Sequence, residues 1–264
     1  MTDETAGDST NRFSARAGEY DRHRPDYPDE VLDYLETRDY LDLGTKVAEI
    51  GAGTGIFTEQ LIGRGCEVWA VEPNAAMRGI AETNLGTRNM FHSVPAEAED
   101  TRIDDETVDL VVAAQAFHWF DLEAAREEFE RILQPPGRVA LLWNLRDRDG
   151  SEFMEELESL IETYAEEYDE VVGTYESQTE RLEEFFGGAE AEGTYEHRSF
   201  EHSQQVGKHG LMGLVTSFSY MPRPNAEDFG DLMGELQDLF DRHAEAGSVE
   251  ILYDTELYFG TLGL

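Results

Sequence analysis

The sequence predicts a doubly wound α/β fold with a mainly parallel sheet. Three observations carry this reading. Short apolar runs at residues 47–50, 68–71, 90–94, 108–113 and 138–143 alternate with stretches of helical spacing. The first run ends in Gly51-Ala52-Gly53-Thr54-Gly55, which suits a tight turn from strand into helix. The chain has 264 residues, enough for one large α/β domain with a sizeable core. Such alternation implies helices on both faces of the sheet and right-handed crossovers.

The elements follow in order. Residues 1–12 read as a disordered acidic tail, and 13–264 as one domain. Pro25 and Pro28 punctuate the entry to a helix at about 29–39, with Val31, Leu32 and Leu35 on one face. Residues from about 13 to 40 are expected to form a lid segment. Ile56, Phe57 and Leu61 continue the glycine turn as a helix, and another helix starts near Ala75. Leu122, Ala125, Phe129 and Ile132 align on a helix at about 121–133. Pro135-Pro136-Gly137 then marks a turn before the fifth strand. The second half has apolar stripes at Phe153, Leu157 and Ile161, and at Leu232, Leu236 and Leu239. Residues 194–200 and 251–257 read as the last two strands, with helices inserted at about 206–246.

Composition excludes several function classes. The formal charge is -38, from 58 acidic and 20 basic side chains. A phosphate backbone or an anionic membrane surface would be repelled at most approaches. Lys46 and Lys208 are the only lysines. Screening shortens to about 3 Å at molar salt, where the self-repulsion of such a surface fades. The composition therefore reads as adaptation to a very salty cytoplasm. Cys66 is the one cysteine, which leaves no internal disulfide and no cysteine-rich zinc site. The seven histidines are scattered, and no metal site is expected. No run approaches 18 apolar residues, so a membrane span is not expected.

The glycine turn is the first chemical signal. It lets a ligand approach the backbone, and the following helix offers free N–H groups to a carboxylate or phosphate. Glu72-Pro73 ends the second strand, 21 positions after Gly51, where an acid can accept bonds from ribose hydroxyls. Ile56 stands where a dinucleotide fingerprint places its third glycine. Glu49, two residues before the first glycine, would repel a pyrophosphate and attract an ammonium or sulfonium. S-adenosylmethionine has both cations, and a carboxylate for the helix N-terminus.

These segments resemble class I S-adenosylmethionine-dependent methyltransferases. The resemblance runs through residues 47–55, Val71-Glu72-Pro73-Asn74 with Met77, Ala96-Glu97, and 108–111 into Gln115-Ala116-Phe117-His118-Trp119-Phe120. The start, from Phe13 through Tyr20 to Arg24-Pro25-Asp26-Tyr27-Pro28, is similar to the small-molecule subgroup that includes trans-aconitate methyltransferases. The resemblance implies a Rossmann-like methyltransferase sheet, mainly parallel, with an antiparallel strand near the C-terminus. It implies that Glu49, Gly51, Ala52, Gly53, Thr54 and Gly55 hold the methionyl part of the cofactor. Glu72 and Pro73 would meet the ribose, Met77, Ala96 and Glu97 the adenine, and Gln115 the transferring methyl. Val94, Glu99, Asp100 and Pro136 depart from the usual pattern.

The rest of the candidate site follows from position. Ligands of doubly wound sheets bind beyond the carboxyl ends of the strands. Phe117, Trp119, Asn144, Arg146 and Tyr220 are candidates to meet the acceptor, and His118 to act as a general base. Arg12, Arg16, Arg22 and Arg24 form a basic island, with Arg146, Arg148 and Lys208 expected at the same end of the sheet. Together they suggest a cationic funnel for the cofactor carboxylate and an anionic substrate, with Arg24 on that carboxylate and Tyr20 beside it. The function expected is methyl transfer to a small molecule, at an oxygen of a carboxylate or hydroxyl. The alternatives are a nicotinamide-dependent oxidoreductase and a non-catalytic protein that binds the same cofactor.

Overall fold

The computed structural model describes residues 17–165, 168, 178–187 and 195–262. The expected acidic tail, the start of the lid, Arg12 and Arg16 lie outside them. Seven strands form one sheet in the order β3-β2-β1-β4-β5-β7-β6. They are β1 (Lys46–Ile50), β2 (Glu67–Val71), β3 (Phe91–Val94), β4 (Val108–Ala114), β5 (Leu133–Arg146), β6 (Tyr195–Val206) and β7 (Val249–Thr261). The first five pair in parallel, and β7 runs antiparallel between β5 and β6. The expected doubly wound sheet with its late antiparallel strand is therefore present.

Alternation along the strands sorts the core into two layers. Val47 of β1, Leu110 and Val112 of β4, and Ala140 and Leu142 of β5 face α2 (Asp29–Thr37) and α3 (Ile56–Gly63). Val31, Leu32 and Leu35 of α2 and Phe57 and Leu61 of α3 complete that layer. Ala48, Ile50, Val111, Ala113, Val139 and Leu141 face the other way. There they meet Phe129 and Ile132 of α5 (Leu122–Ile132) and Leu182, Phe185 and Phe186 of α7 (Gln178–Phe186). Helix α4 (Ala75–Leu85) connects β2 to β3. Its N-cap is Asn74, whose side chain accepts from the N–H groups of Ala76 and Met77.

A third apolar cluster joins α6 (Glu152–Tyr164), α8 (Lys208–Ser217) and α9 (Phe229–His243) to the facing ends of β6 and β7. Helices α8 and α9 lie between those two strands in the chain. The first described helix, α1 (Ala17–His23), packs on α8 and α4. Among the described residues, no helix is long and apolar enough to cross a membrane.

Three elements differ from expectation. Strand β6 runs to Val206, six residues past the expected end, because its pairing with β7 continues to Val249. Strand β5 starts at Leu133, so Pro135-Pro136-Gly137 sits in an irregularity of the β4–β5 ladder, between the Val108–Leu133 and Leu110–Arg138 pairs. Helix α7 had no expected counterpart.

Candidate active site

A cleft opens at the carboxyl ends of β1, β4 and β5. Its floor is the glycine turn, with Gln115 beyond β4 and Asn144 and Arg146 at the end of β5. Tyr20, Arg24 and Tyr27 cover it from the N-terminal side, with Leu214 of α8 and Phe218 just after that helix. Strand register explains the gathering. Glu49, Asn144 and Arg146 are in step with Val47 and Leu142, so they project from the same sheet face.

Glu49 is 2% exposed and pairs in register with Ala70 and Val112. Thr58 of α3 donates its hydroxyl to the Glu49 carboxyl. Burial pushes the Glu49 carboxyl up to about 8, against the Thr58 bond, and the nearby Glu72 charge adds to the rise. Glu72 is also buried, and burial raises its carboxyl too. It accepts N–H bonds from Gly53 at 2.9 Å and from Asn74 at 2.7 Å. Two acids thus flank the turn, their carboxyls bonded by backbone or hydroxyl donors; Arg78 donates to the Glu72 backbone oxygen at 2.8 Å, and its charge partly offsets the rise at Glu72. Thr54 completes the turn, and its buried hydroxyl has no hydrogen-bond partner among the described residues. A carboxyl raised by burial and an unbonded hydroxyl in one cradle fit a polar cationic ligand such as the methionyl end of the expected cofactor.

Gln115 holds the opposite wall. Its backbone is left-handed, with φ 61°. The backbone N–H donates to Leu142 O at 2.8 Å and the side-chain amide to Asn144 O at 2.9 Å. Bonds to two points on β5 over-determine a strained conformation, a pattern found at ligand sites. Asn144 is itself fixed, donating to Asp26 O at 3.0 Å and accepting from Thr255 at 2.7 Å. Gln60 bonds both backbone groups of Tyr27. Arg24 donates from Nε to Ser217 Oγ at 3.1 Å and lies over the rings of Tyr20 and Phe218. Residues 24–27 are therefore tied to α3, β5 and α8 across the cleft.

The expected cationic groups divide. Arg24 and Arg146 line the cleft, while Lys208 pairs with Asp241 on α9. Arg146 is half-buried against the buried Glu158 of α6, with Nε to Oε2 at 3.0 Å and Nη2 to Oε1 at 3.1 Å. It also donates to the Tyr220 hydroxyl at 3.3 Å, and Arg148 reaches the same Glu158 at 3.5 Å. Sequence reasoning missed Glu158, because one more acid on an acidic helix carries no signal. Removing one partner of a buried pair strands the other charge. Glu158→Ala is expected to destabilise the fold by about 3–5 kcal/mol, and urea unfolding checks it; an unchanged midpoint would reject a structural role for the pair.

Several expected site residues sit elsewhere. Phe117 is wholly buried, edge-on to Trp143 and Phe185, and forms core rather than cleft wall. Trp119 is 48% exposed. The two split because a 3-10 turn spans 117–119 and successive side chains there point about 120° apart. His118 does not line the cleft, and burial and the Arg181 charge lower it to about 4. Met77 and Ala96 are buried, and Pro73 and Glu97 are exposed, on the β2–β3 side of the turn. Gly55 caps α3 with φ 88°. Tyr220 reaches the site through Arg146.

Residues 48–141 match the family model described as a methyltransferase domain. An uncharacterized methyltransferase of Mycobacterium tuberculosis is 38% identical over 140 residues, 53% of this chain and 55% of that protein. The chain thus spans about half the length of that relative. An uncharacterized methyltransferase-like protein of Schizosaccharomyces pombe is 28% identical over 250 residues, 92% of each chain. A candidate type II methyltransferase from Anaeromyxobacter dehalogenans superposes with a TM-score of 0.63 at 19% identity, covering 90% of this chain and 98% of that one. The sheet order and this superposition show a doubly wound, Rossmann-like fold, and residues 48–141 are similar to a methyltransferase domain.

Proposed function

We propose that this chain is an S-adenosylmethionine-dependent enzyme that methylates a small-molecule acceptor, at an oxygen of a carboxylate or hydroxyl. The observation that carries the reading is the buried Glu49 carboxyl beside the glycine turn, facing the cleft. It disfavours a pyrophosphate and favours the cofactor's ammonium. Glu49 and residues 51–55 hold the methionyl end, Arg24 its carboxylate with Tyr20 beside it, and Glu72 with Pro73 the ribose. Met77, Ala96 and Glu97 border the adenine, and Gln115 faces the methyl. The cofactor supplies an activated methyl on a sulfonium, ready for an oxygen lone pair.

The acceptor lies toward Asn144, Arg146 and Tyr220, and the cluster there suits an anion. The low value of His118 makes it a weak base at neutral pH, which favours an acceptor oxygen that is already ionised. That agrees with the likeness to the trans-aconitate methyltransferase subgroup. The acidic surface suits a salty cytoplasm and speaks against nucleic-acid and membrane partners.

Calorimetric titration in molar potassium chloride with S-adenosylmethionine and with a nicotinamide cofactor tests the reading. Binding of the first alone supports it, and binding of the nicotinamide alone rejects it. Labelled methyl transfer to small carboxylic acids and phenols then tests turnover. Arg24→Ala is expected to weaken S-adenosylhomocysteine binding about tenfold or more, as for a lost charge-assisted bond. An unchanged dissociation constant would remove Arg24 from the cofactor.

A further inference from the structure

Tyr253 of β7 stands directly opposite Arg146 of β5 in the antiparallel ladder. Opposed residues share a sheet face, so the phenol projects toward the cleft end that Arg146 occupies. It is 5% exposed and lines the cleft. Its hydroxyl has no hydrogen-bond partner among the described residues. Buried hydroxyls are nearly always bonded, so an unbonded one on a cleft wall marks a place for a ligand atom.

The surroundings say which kind of atom. The charged groups acting on this hydroxyl are Arg146 and Arg24, with Tyr220 also close. Arg146 and Arg148 share one carboxylate, Glu158, so that cluster keeps a net positive charge. Arg24, bonded to a serine, is assigned above to the cofactor carboxylate, so the positive charge left for an acceptor is that of the Arg146–Arg148 cluster. In a chain of formal charge -38, cations gathered around a buried O–H make a local anion site. Burial also holds the phenol up at about 12, so it remains protonated and donates.

We propose that Tyr253 binds the acceptor, its O–H donating to one oxygen of a carboxylate while the second oxygen takes the methyl group, a C–O bond forming as the methyl–sulfur bond breaks and S-adenosylhomocysteine leaves as a neutral thioether. The inference rests on the methyltransferase reading and deepens it, by choosing a carboxylate over a hydroxyl and naming the residue that holds it. A carboxylate is ionised at neutral pH, so no proton need be removed.

Tyr253→Phe deletes only the hydroxyl. Wild type and variant are loaded with S-adenosylhomocysteine in molar potassium chloride. Each is titrated with benzoate, cinnamate, succinate and trans-aconitate, and with the matching primary amides and alcohols. The wild type is expected to bind at least one carboxylate, and the variant to bind it about tenfold more weakly, as for a lost hydrogen bond to a charged group. Amides and alcohols should bind both proteins alike. Affinity for S-adenosylhomocysteine should not change, and the melting temperature should hold or rise, since an unbonded buried hydroxyl is removed. A merely structural tyrosine would instead lower the melting temperature and leave carboxylate affinity alone. That result overturns the proposal, as does a loaded wild type that binds none of the carboxylates or prefers the alcohols. Failure to bind S-adenosylhomocysteine at all would sink the methyltransferase reading, and this inference with it.

Discussion

Glu49→Gln is expected to leave the empty protein at least as stable as the wild type and to weaken S-adenosylhomocysteine binding by about 100-fold. The two effects have one cause. Glu49 is 2% exposed, its only bonded partner among the described residues is the Thr58 hydroxyl, and Glu72 is close enough to act on it. Without a cation, an ionised carboxyl is unwelcome there, so the group stays protonated up to about pH 8. Glutamine matches the protonated form in shape and can still accept from Thr58. A ligand ammonium, however, gains its partner only when the carboxylate is present.

The pH dependence has a definite sign. The folded-state value of Glu49 is raised, and an unfolded glutamate titrates near 4.3. Between those two values the folded protein holds more protons on this group than the unfolded chain does. Its contribution to stability is complete below about pH 4.3 and falls as pH rises, with a slope approaching 1.4 kcal/mol per unit, until about pH 8. The stability of Glu49→Gln relative to wild type should therefore grow across that window and then level off. Cofactor binding runs the other way. Affinity for a ligand cation should rise up to tenfold per pH unit to about pH 8, with proton release seen by calorimetry in buffers of different ionisation enthalpy. In Glu49→Gln that slope should be absent. A wild-type affinity flat from pH 6 to 8 would show that the carboxylate is already ionised in the empty cleft.

The sequence made the sheet legible because its strands are buried on both faces. Residues 110–113 read as a continuous apolar run, bounded by turns, with no competing period. The later strands were harder. In β6, polar side chains such as His202, Ser203, Gln204 and Gln205 continue to Val206. Half of these face segments that only the fold brings near: Gln204 lies 3.4 Å from His23 O, and His202 lies 3.6 Å from Asp26. Helix α7 was hidden among glutamates, although Leu182, Phe185 and Phe186 form a buried face.

The site divides along the same line. Glu49 and Glu72 were readable because a local spacing to the glycine turn gives an acid there a chemical meaning. Glu128 and Glu158 were not, although each is buried. Glu128 binds Thr101 and Glu158 binds Arg146, partners that only the fold brings near, although Glu128 also pairs locally with Arg131 three residues on along the same helix. Tyr253 had the same fault as a signal. A tyrosine in a strand normally reads as strand former, and only the register opposite Arg146 shows that it faces the cleft. The aromatic segment misled in the opposite direction. Four adjacent aromatic rings after β4 suggested a lined pocket, whereas a single 3-10 turn sends Phe117 into the core and leaves Trp119 exposed.

Replacing Gly51 and Gly53 separately by alanine should split folding from ligand binding, although the two glycines look equivalent in sequence. Both have left-handed backbone, with φ 73° and 59°, so each alanine meets some conformational strain. The difference lies in what the new methyl touches. At position 51 it would stand 2.4 Å from the Ala116 Cβ, well inside contact distance. Ala116 cannot retreat, because Gln115 is bonded to β5 through its backbone and side chain and Phe117 is locked in the core. Overpacking plus backbone strain should make Gly51→Ala destabilising by about 2–4 kcal/mol. At position 53 the methyl would meet nothing within 4 Å, so the cost to the fold is the backbone term alone, about 1–2 kcal/mol. That space is cleft, and Gly53 is the turn residue whose N–H Glu72 binds. A methyl there would intrude on a ligand drawn against the backbone, and the loss should appear in binding. Urea unfolding of the empty proteins should place Gly51→Ala below Gly53→Ala, while Gly53→Ala loses about tenfold or more in S-adenosylhomocysteine affinity. Equal stabilities would deny the Ala116 contact its role, and a Gly53→Ala protein with full affinity would move the cofactor away from the turn.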